Sequence, residues 1–275
     1  MTEKGDQVAL IECRFYSEVL GEDTSIFAVV PTTTFEDVMK KKKMNFKPGA
    51  KFQTLYLLNG IGGDHSGWVR NTSIERYAQR KCLAVVMPAA GRSFYTDAQT
   101  GSRFWTFISE ELPAVARSLF PLSDKKEDNF AAGASMGAYG AFKLALRKPE
   151  SFAAAAGISG TADVSQLIAI GRHQPVLKKT LEGVFGNLDS VAGSENDLFF
   201  LMKKMKNENT EIPLLYQCWG KDDISYPMQL KSKEFAQAYG IEMTFEDGPG
   251  DHSWTYWDAS IKRVLDWLPL KNAMV

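Results

Sequence analysis

Short apolar runs alternate with amphipathic stretches along this chain, and the texture changes near residue 52. Before that point two strand candidates, 8–15 and 25–30, lead into a polar connection that ends at Pro31. From there, buried strands are expected at 52–58, at 83–87 (closed by Pro88), at 130–134 and at 152–158 with a Ser-Gly exit. Two more are expected at 212–219 and 241–245. Amphipathic helices are expected between them at 73–81, 107–119, 137–147, 225–239 and 254–267. Strands alternating with helices imply an α/β architecture: a mostly parallel central sheet with helices on both faces. A ligand site in such a sheet is expected beyond the carboxyl ends of the strands.

The rhythm breaks between about 161 and 210. Helical patterns at 164–170 and 196–205 flank a Gly-rich piece, Gly183-Val-Phe-Gly186. This reads as a small helical insertion over the carboxyl edge of the sheet, so that residues 1–275 form one domain. No internal repeat or low-complexity segment is visible.

Composition adds exclusions. The 275 residues are 44% hydrophobic and 24% charged, near globular averages, which excludes a disordered or fibrous chain. Thirty-two basic and 33 acidic residues leave a net charge of −1, with no global pull toward nucleic acid or anionic lipid. The basic run Met39-Lys-Lys-Lys-Lys-Met44, with Lys47 and Lys51, has no interleaved aromatics and reads as a solvated loop. Cys13, Cys82 and Cys218 are far apart and lack metal-type spacing, which suits reduced thiols. No apolar run is long enough to span a bilayer, and the amino end has no apolar signal core. A cytoplasmic protein is expected, with no nucleic-acid or membrane partner. A homo-oligomer is compatible with this reading.

The most informative stretch is Gly133-Ala-Ser135-Met-Gly137, a G-x-S-x-G with an apolar strand before it and a small-residue helix after it. A strand turning sharply into a helix lifts one side chain above the sheet and holds it in strained backbone. The positions two before and two after must be small, and Gly133 and Gly137 meet that demand. Ser135 is therefore the candidate nucleophile. The Met136 amide, at the helix start, is a candidate oxyanion donor. A helix-capping serine is the structural alternative. A second amide is expected from the loop Asn59-Gly-Ile61-Gly-Gly63, with Ile61 as donor.

A serine hydroxyl needs a base. His252, in the loop before the last helix, fits the chain order Ser, acid, His. His65 precedes the serine, and His173 belongs to the insertion. The acid belongs after the next-to-last strand, where Gly220-Lys-Asp222-Asp223 supplies two candidates, one of which is free to cap the following helix. Trp68, Tyr139 and Trp254 are candidate walls of a substrate pocket, or equally core residues. No ligand cluster suggests a metal or an organic cofactor.

These residues together resemble the putative-esterase family of α/β-hydrolases, which includes tributyrin esterases, S-formylglutathione hydrolases, and acetyl-xylan and feruloyl esterases. The likeness runs from about residue 15 to 269. It rests on Ser17-Glu-Val-Leu-Gly21, the Leu57–Gly63 loop with Trp68, Val86-Met-Pro88 with Gly91-Arg-Ser-Phe-Tyr-Thr-Asp97, and Glu110-Glu-Leu-Pro113. Phe120-Pro-Leu-Ser123, Ser135-Met-Gly-Ala-Tyr-Gly140, Gly220-Lys-Asp-Asp223 and His252-Ser-Trp254 complete it. The resemblance implies an α/β-hydrolase fold, a Ser135–His252–Asp223 triad, and oxyanion amides at Ile61 and Met136. It implies hydrolysis of a small-molecule ester through an acyl-enzyme, with a short-chain ester ahead of a carbohydrate ester and of S-formylglutathione. Asn59 stands where the family commonly has His, Ala134 replaces a larger residue, Ala138 replaces Gly, and the Cys-containing oxyanion loop of the formylglutathione branch is missing.

Overall fold

The computed structural model describes residues 8–40, 48–99 and 101–275. Lys41, Lys42, Lys43 and Lys47 of the basic run, and the amino-terminal segment 1–7, lie outside them.

Among the described residues eight strands form one sheet: β1 (Ala9–Ser17), β2 (Glu22–Val30), β3 (Gln53–Leu58), β4 (Leu83–Pro88), β5 (Asn129–Ala134), β6 (Ala154–Ile158), β7 (Leu214–Gly220) and β8 (Thr244–Gly248). Their order is β1-β2-β4-β3-β5-β6-β7-β8. The pairs β1–β2 and β2–β4 are antiparallel, and every pair from β4 to β8 is parallel. Burial explains the two textures of the sequence. β1 alternates between half-buried and exposed positions, as a strand with one wet face must, whereas β3, β4 and β5 are buried at every position.

The covering helices are α1 (Phe35–Met39), α2 (Gly67–Asn71), α3 (Ile74–Lys81), α4 (Phe104–Thr106), α5 (Leu112–Leu119), α6 (Met136–Arg147), α7 (Val164–Gly171), α8 (Pro175–Phe185), α9 (Leu198–Asn207), α10 (Tyr226–Tyr239) and α11 (Trp254–Trp267). On one face Ile74 and Ala78 of α3 and Ile261, Val264 and Leu265 of α11 pack with Leu55, Leu57 and Val85. On the other, Phe142 and Leu144 of α6 and Leu112 and Ala116 of α5 pack with Tyr56 and Val86. No helix among the described residues is long and apolar enough to cross a membrane.

Several elements differ from expectation, β2 beginning at Glu22 and the short helices α1 and α2 among them, and three of the differences have a clear local cause. The helix expected at 107–119 begins earlier and is interrupted by a π turn, Phe107–Glu111, between α4 and α5; Leu112 donates to the Phe107 carbonyl five residues back. Pro113 accounts for this, because it has no N–H to offer Ser109 and its ring crowds that carbonyl. The last strand starts at Thr244 instead of 241. Gly240 ends α10 in left-handed backbone, and the Ile241 N–H then donates to Ala236 O at 2.9 Å, so Ile241 belongs to the helix cap and is buried beneath it. In the 161–210 segment the Gly-rich piece is the end of a full helix, α8, opened by Pro175 at its first turn.

A buried acid fixes the carboxyl-terminal segment under the sheet. The fully buried Asp128 side chain accepts bonds from Lys271 Nζ and Ser123 Oγ, each at 2.7 Å. Burial alone would raise its pKa, but these bonds outweigh it and hold the carboxyl below its ordinary value. A depressed carboxylate stabilises the fold above its unfolded pKa, and that contribution is lost as pH falls through the folded value. Asp128→Asn is expected to cost about 1.5–3 kcal/mol at pH 7. Urea midpoints of the two proteins should converge as pH drops below about 4.

Candidate active site

Ser135 joins β5 to α6 with φ 56° and ψ −118°, a left-handed conformation that a residue with a side chain occupies at a cost of order 1–3 kcal/mol. The turn is held by backbone. The Ser135 N–H donates to Ile158 O at 2.8 Å, and Ala138 N–H donates to Ser135 O at 3.0 Å. The glycines around it have no room for a side chain. A Cβ on Gly133 would lie 2.5 Å from the Gly137 carbonyl, and one on Gly137 would lie 2.4 Å from Leu58 O. The sequence pattern accounts for these two but passes over a third. Gly160, after β6, runs so close beneath the turn that a Cβ would lie 2.2 Å from Ser135 O, and Gln217 Nε2 fixes its carbonyl at 3.0 Å.

The loops after β7 and β8 bring the acid and the base together. His252 Nδ1 lies 2.8 Å from Asp223 Oδ2, while Asp223 Oδ1 accepts from Ser225 N at 2.8 Å and Ser225 Oγ at 2.6 Å. Trp219 Nε1 in turn donates to Ser225 Oγ at 2.9 Å. The Asp223 side chain is fully buried, which alone would raise its pKa, but the bonds from His252 and Ser225 outweigh that and hold it below the ordinary value. It therefore stays ionised at neutral pH. Asp222 points elsewhere: its N–H donates to Gly250 O at 2.9 Å and its carboxylate accepts from Gly250 N at 3.4 Å, which ties the two loops to each other. Between the two aspartates, the geometry puts Asp223 on the histidine.

A cavity of about 190 Å³ opens above the turn, and Ser135, His252, Met136 and Ile61 all line it. The Met136 amide begins α6, where unpaired N–H groups and the helix dipole favour an anion. Ile61 sits on a loop stapled by Asn59, whose side-chain amide donates to Gly60 O at 2.8 Å and to Gly63 O at 3.0 Å. The buried Tyr95 hydroxyl donates to Asn59 O at 2.8 Å, and its ring fills the space that a Cβ on Gly140 would need.

The other candidates separate. Tyr139 lines the cavity, its hydroxyl donating to Asn196 O at 2.8 Å. Trp68 is 1% exposed, donates to Leu58 O at 3.0 Å and packs edge-on against Trp254, so this pair braces the loops; neither is among the cavity-lining residues. His65 lies beside Glu12 and Phe27, in a different surface depression. His173 is exposed on the insertion. Leu167 and Leu177, from α7 and α8, also wall the cavity. No local motif marks them, since they reach it only through the path of the insertion.

The family model described as "Putative esterase" matches residues 39–268. The chain is 29% identical over 265 residues to an acetyl esterase of Caldicellulosiruptor saccharolyticus, covering 95% of this chain and 98% of that protein. Among solved structures, it is similar to substrate-bound FphF, a fluorophosphonate-binding serine hydrolase of Staphylococcus aureus (34% identity, TM-score 0.84, 95% and 98% of the two chains). It is also similar to the S-formylglutathione hydrolase FrmB of the same organism (34% identity, TM-score 0.81, 95% and 99%). The sheet and its helices are thus those of the α/β-hydrolase fold.

The glycine contacts yield a paired test. Gly160→Ala is expected to destabilise the protein by about 1–3 kcal/mol, because backbone must move to admit the methyl group. Gly183→Ala, inside α8 with open space around it, is expected to stabilise it by up to about 1 kcal/mol. Thermal or urea unfolding of both variants checks the contrast.

Proposed function

Because the chain belongs to the putative esterase family and is a serine esterase, we propose that it hydrolyses short-chain acyl esters through a Ser135–His252–Asp223 triad. The observation that carries the assignment is the 2.8 Å His252–Asp223 contact in the wall of the cavity that also holds the strained Ser135. The Nδ1–H of His252 donates to the Asp223 carboxylate, which leaves Nε2 of the imidazole to act as base. His252 takes the Ser135 proton as Oγ bonds to the ester carbonyl carbon. The amides of Met136 and Ile61 receive the oxyanion, and His252 passes the proton to the departing alcohol. Water then enters by the same proton route, releasing the acid and restoring Ser135.

The cavity takes the acyl group in this reading. Its volume of about 190 Å³ is below the ~300–1,000 Å³ of drug-sized ligand sites, and Phe94, Tyr139, Leu167 and Leu177 make its wall largely apolar. A short acyl chain of the acetyl to butyryl class fits that description, and the likeness to an acetyl esterase supports it. A second reading, a thioesterase acting on a small acyl thioester, is favoured by the likeness to a formylglutathione hydrolase at 34% identity.

Turnover of acetyl, butyryl and octanoyl p-nitrophenyl esters tests the proposal. Activity is expected to fall with chain length and to drop by at least about 10⁴-fold in Ser135→Ala. Asp223→Asn is expected to lose about 10⁴-fold, through loss of the correct imidazole tautomer, and Asp222→Asn less than about tenfold. A larger loss in Asp222→Asn would overturn the assignment of the acid.

A further inference from the structure

The cavity holds one hydroxyl that neither the triad nor the fold uses. Four other residues of its wall, besides Ser135, carry hydroxyls, and Tyr139 donates its own to Asn196 O at 2.8 Å. Ser225 is engaged with Asp223 and Trp219, and Thr161 Oγ1 accepts the Asp163 N–H at 2.8 Å. Ser159 is different. The residue is 1% exposed, and its Oγ is buried with no hydrogen-bond partner among the described residues. An unsatisfied buried hydroxyl is costly, and Ser159 bears a second cost in its left-handed backbone, φ 49°. Glycine would remove both costs at once, so the hydroxyl is retained against two local penalties.

Its place in the fold says what it can reach. Ser159 directly follows β6, which pairs with β5 on one side and β7 on the other, so it sits in the sheet between Ser135 and the segment that carries Asp223. Backbone bonds hold it there: Ser135 N–H donates to Ile158 O at 2.8 Å, and Ser159 N–H donates to Cys218 O at 2.9 Å. The oxyanion loop follows β3, on the opposite side of β5. Ser159 is therefore on the side of β5 away from the Ile61 loop and next to the backbone of Ser135.

On the reading of Ser135 as nucleophile and the cavity as the acyl site, we infer that the orphaned Ser159 hydroxyl in the cavity wall recognises an oxygen at the second or third position of the acyl group. The preferred substrates are then esters of short oxygenated acids, hydroxy-, alkoxy- or oxo-acyl, over alkanoyl chains of equal size. The otherwise apolar wall holds the chain, and Ser159 donates the one directional bond.

Methoxyacetyl and butyryl p-nitrophenyl esters have the same number of heavy atoms in the acyl chain and differ by oxygen for methylene, which makes them the probe. The readout is the ratio of their kcat/KM values in wild type divided by the same ratio in Ser159→Ala, which cancels the intrinsic reactivity of each ester. The expected quotient is about five to ten, the worth of one neutral hydrogen bond. Ser159→Gly, which suits the left-handed backbone, should give the same quotient and covers a folding failure of the alanine variant. A quotient of one overturns the inference, whether both esters slow together, which would place Ser159 in a step common to all substrates, or neither slows. Binding of the methyl esters to Ser135→Ala protein, followed by NMR titration, reads the same contact without turnover. Methyl methoxyacetate should bind more tightly than methyl butyrate there, and the difference should vanish in the Ser135→Ala, Ser159→Ala protein. Equal binding in the first case overturns the inference. Preserved differential binding in a protein whose wild type has no esterase activity would sink the proposed function alone.

Discussion

Everything in the site depends on a single backbone conformation, the left-handed turn at Ser135, and on the close approaches that hold it. Three backbone segments meet there: the end of β3 at Leu58, the β5–α6 junction, and the β6 exit at Gly160. They pack without side chains between them, so their relative positions are set by van der Waals contact of main-chain atoms and by the Ser135–Ile158 hydrogen bond. Side chains can rotate away from strain; packed main chain cannot, which is why strain of order 1–3 kcal/mol can persist at this residue. The same contacts deliver the neighbouring groups. The loop bearing Ile61 continues from Leu58, and Ser159 precedes Gly160, so both are registered against the nucleophile by the fold itself.

The loops that carry Asp223 and His252 follow a similar logic at the other end of the sheet. Lys221 N–H donates to Gly248 O at 2.8 Å and Asp222 N–H to Gly250 O at 2.9 Å, and a Cβ on Gly220 would lie 2.0 Å from Gly250 O. The two loops are therefore zipped by main chain before any side chain is considered. Asp223 and His252 then meet at 2.8 Å across loops already locked together, and Ser225 holds the second carboxylate oxygen. An ionised carboxylate buried to this degree is tolerable only with such a complete set of donors.

These two structures explain what could be read in the sequence. The G-x-S-x-G pattern announces its own geometry because the steric demand falls on positions two residues away, and the apolar runs of β3 to β6 announce a covered parallel sheet. Gly160 makes an equally tight contact but acts from the next strand, 25 residues from the serine it supports (160 − 135), with no fixed spacing to mark it. Asp222 and Asp223 are adjacent and alike in type; the family resemblance favours Asp223, and the path of the chain is what turns it inward. Ile241 misleads for a related reason: an apolar β-branched residue after a helix reads as a strand start, yet the left-handed Gly240 folds it back under α10. Trp68 and Trp254 have the aromatic character of pocket walls, but burial decides their part, and burial is a property of the whole fold.

The division between chemistry and selectivity follows the same boundary. The proposed triad and oxyanion groups stand on sheet-anchored turns, whereas Leu167 and Leu177 of the cavity wall come from the insertion. That insertion is tied down by α6, the helix that starts directly after Ser135. Tyr139 donates to Asn196 O at 2.8 Å, and one turn later Lys143 donates to Asn196 Oδ1 and Thr96 Oγ1, each at 2.7 Å. Lys143 is fully buried, and burial pushes its amine well below the ordinary value, so the clamp consists of short bonds to neutral oxygens and not of an exposed ion pair. Tyr139 belongs to both sides, lining the cavity with its ring while its hydroxyl holds the insertion. The shape of the cavity is thus coupled to the helix that begins after Ser135, while most of its lining can change without disturbing the backbone contacts that hold the Ser135 turn.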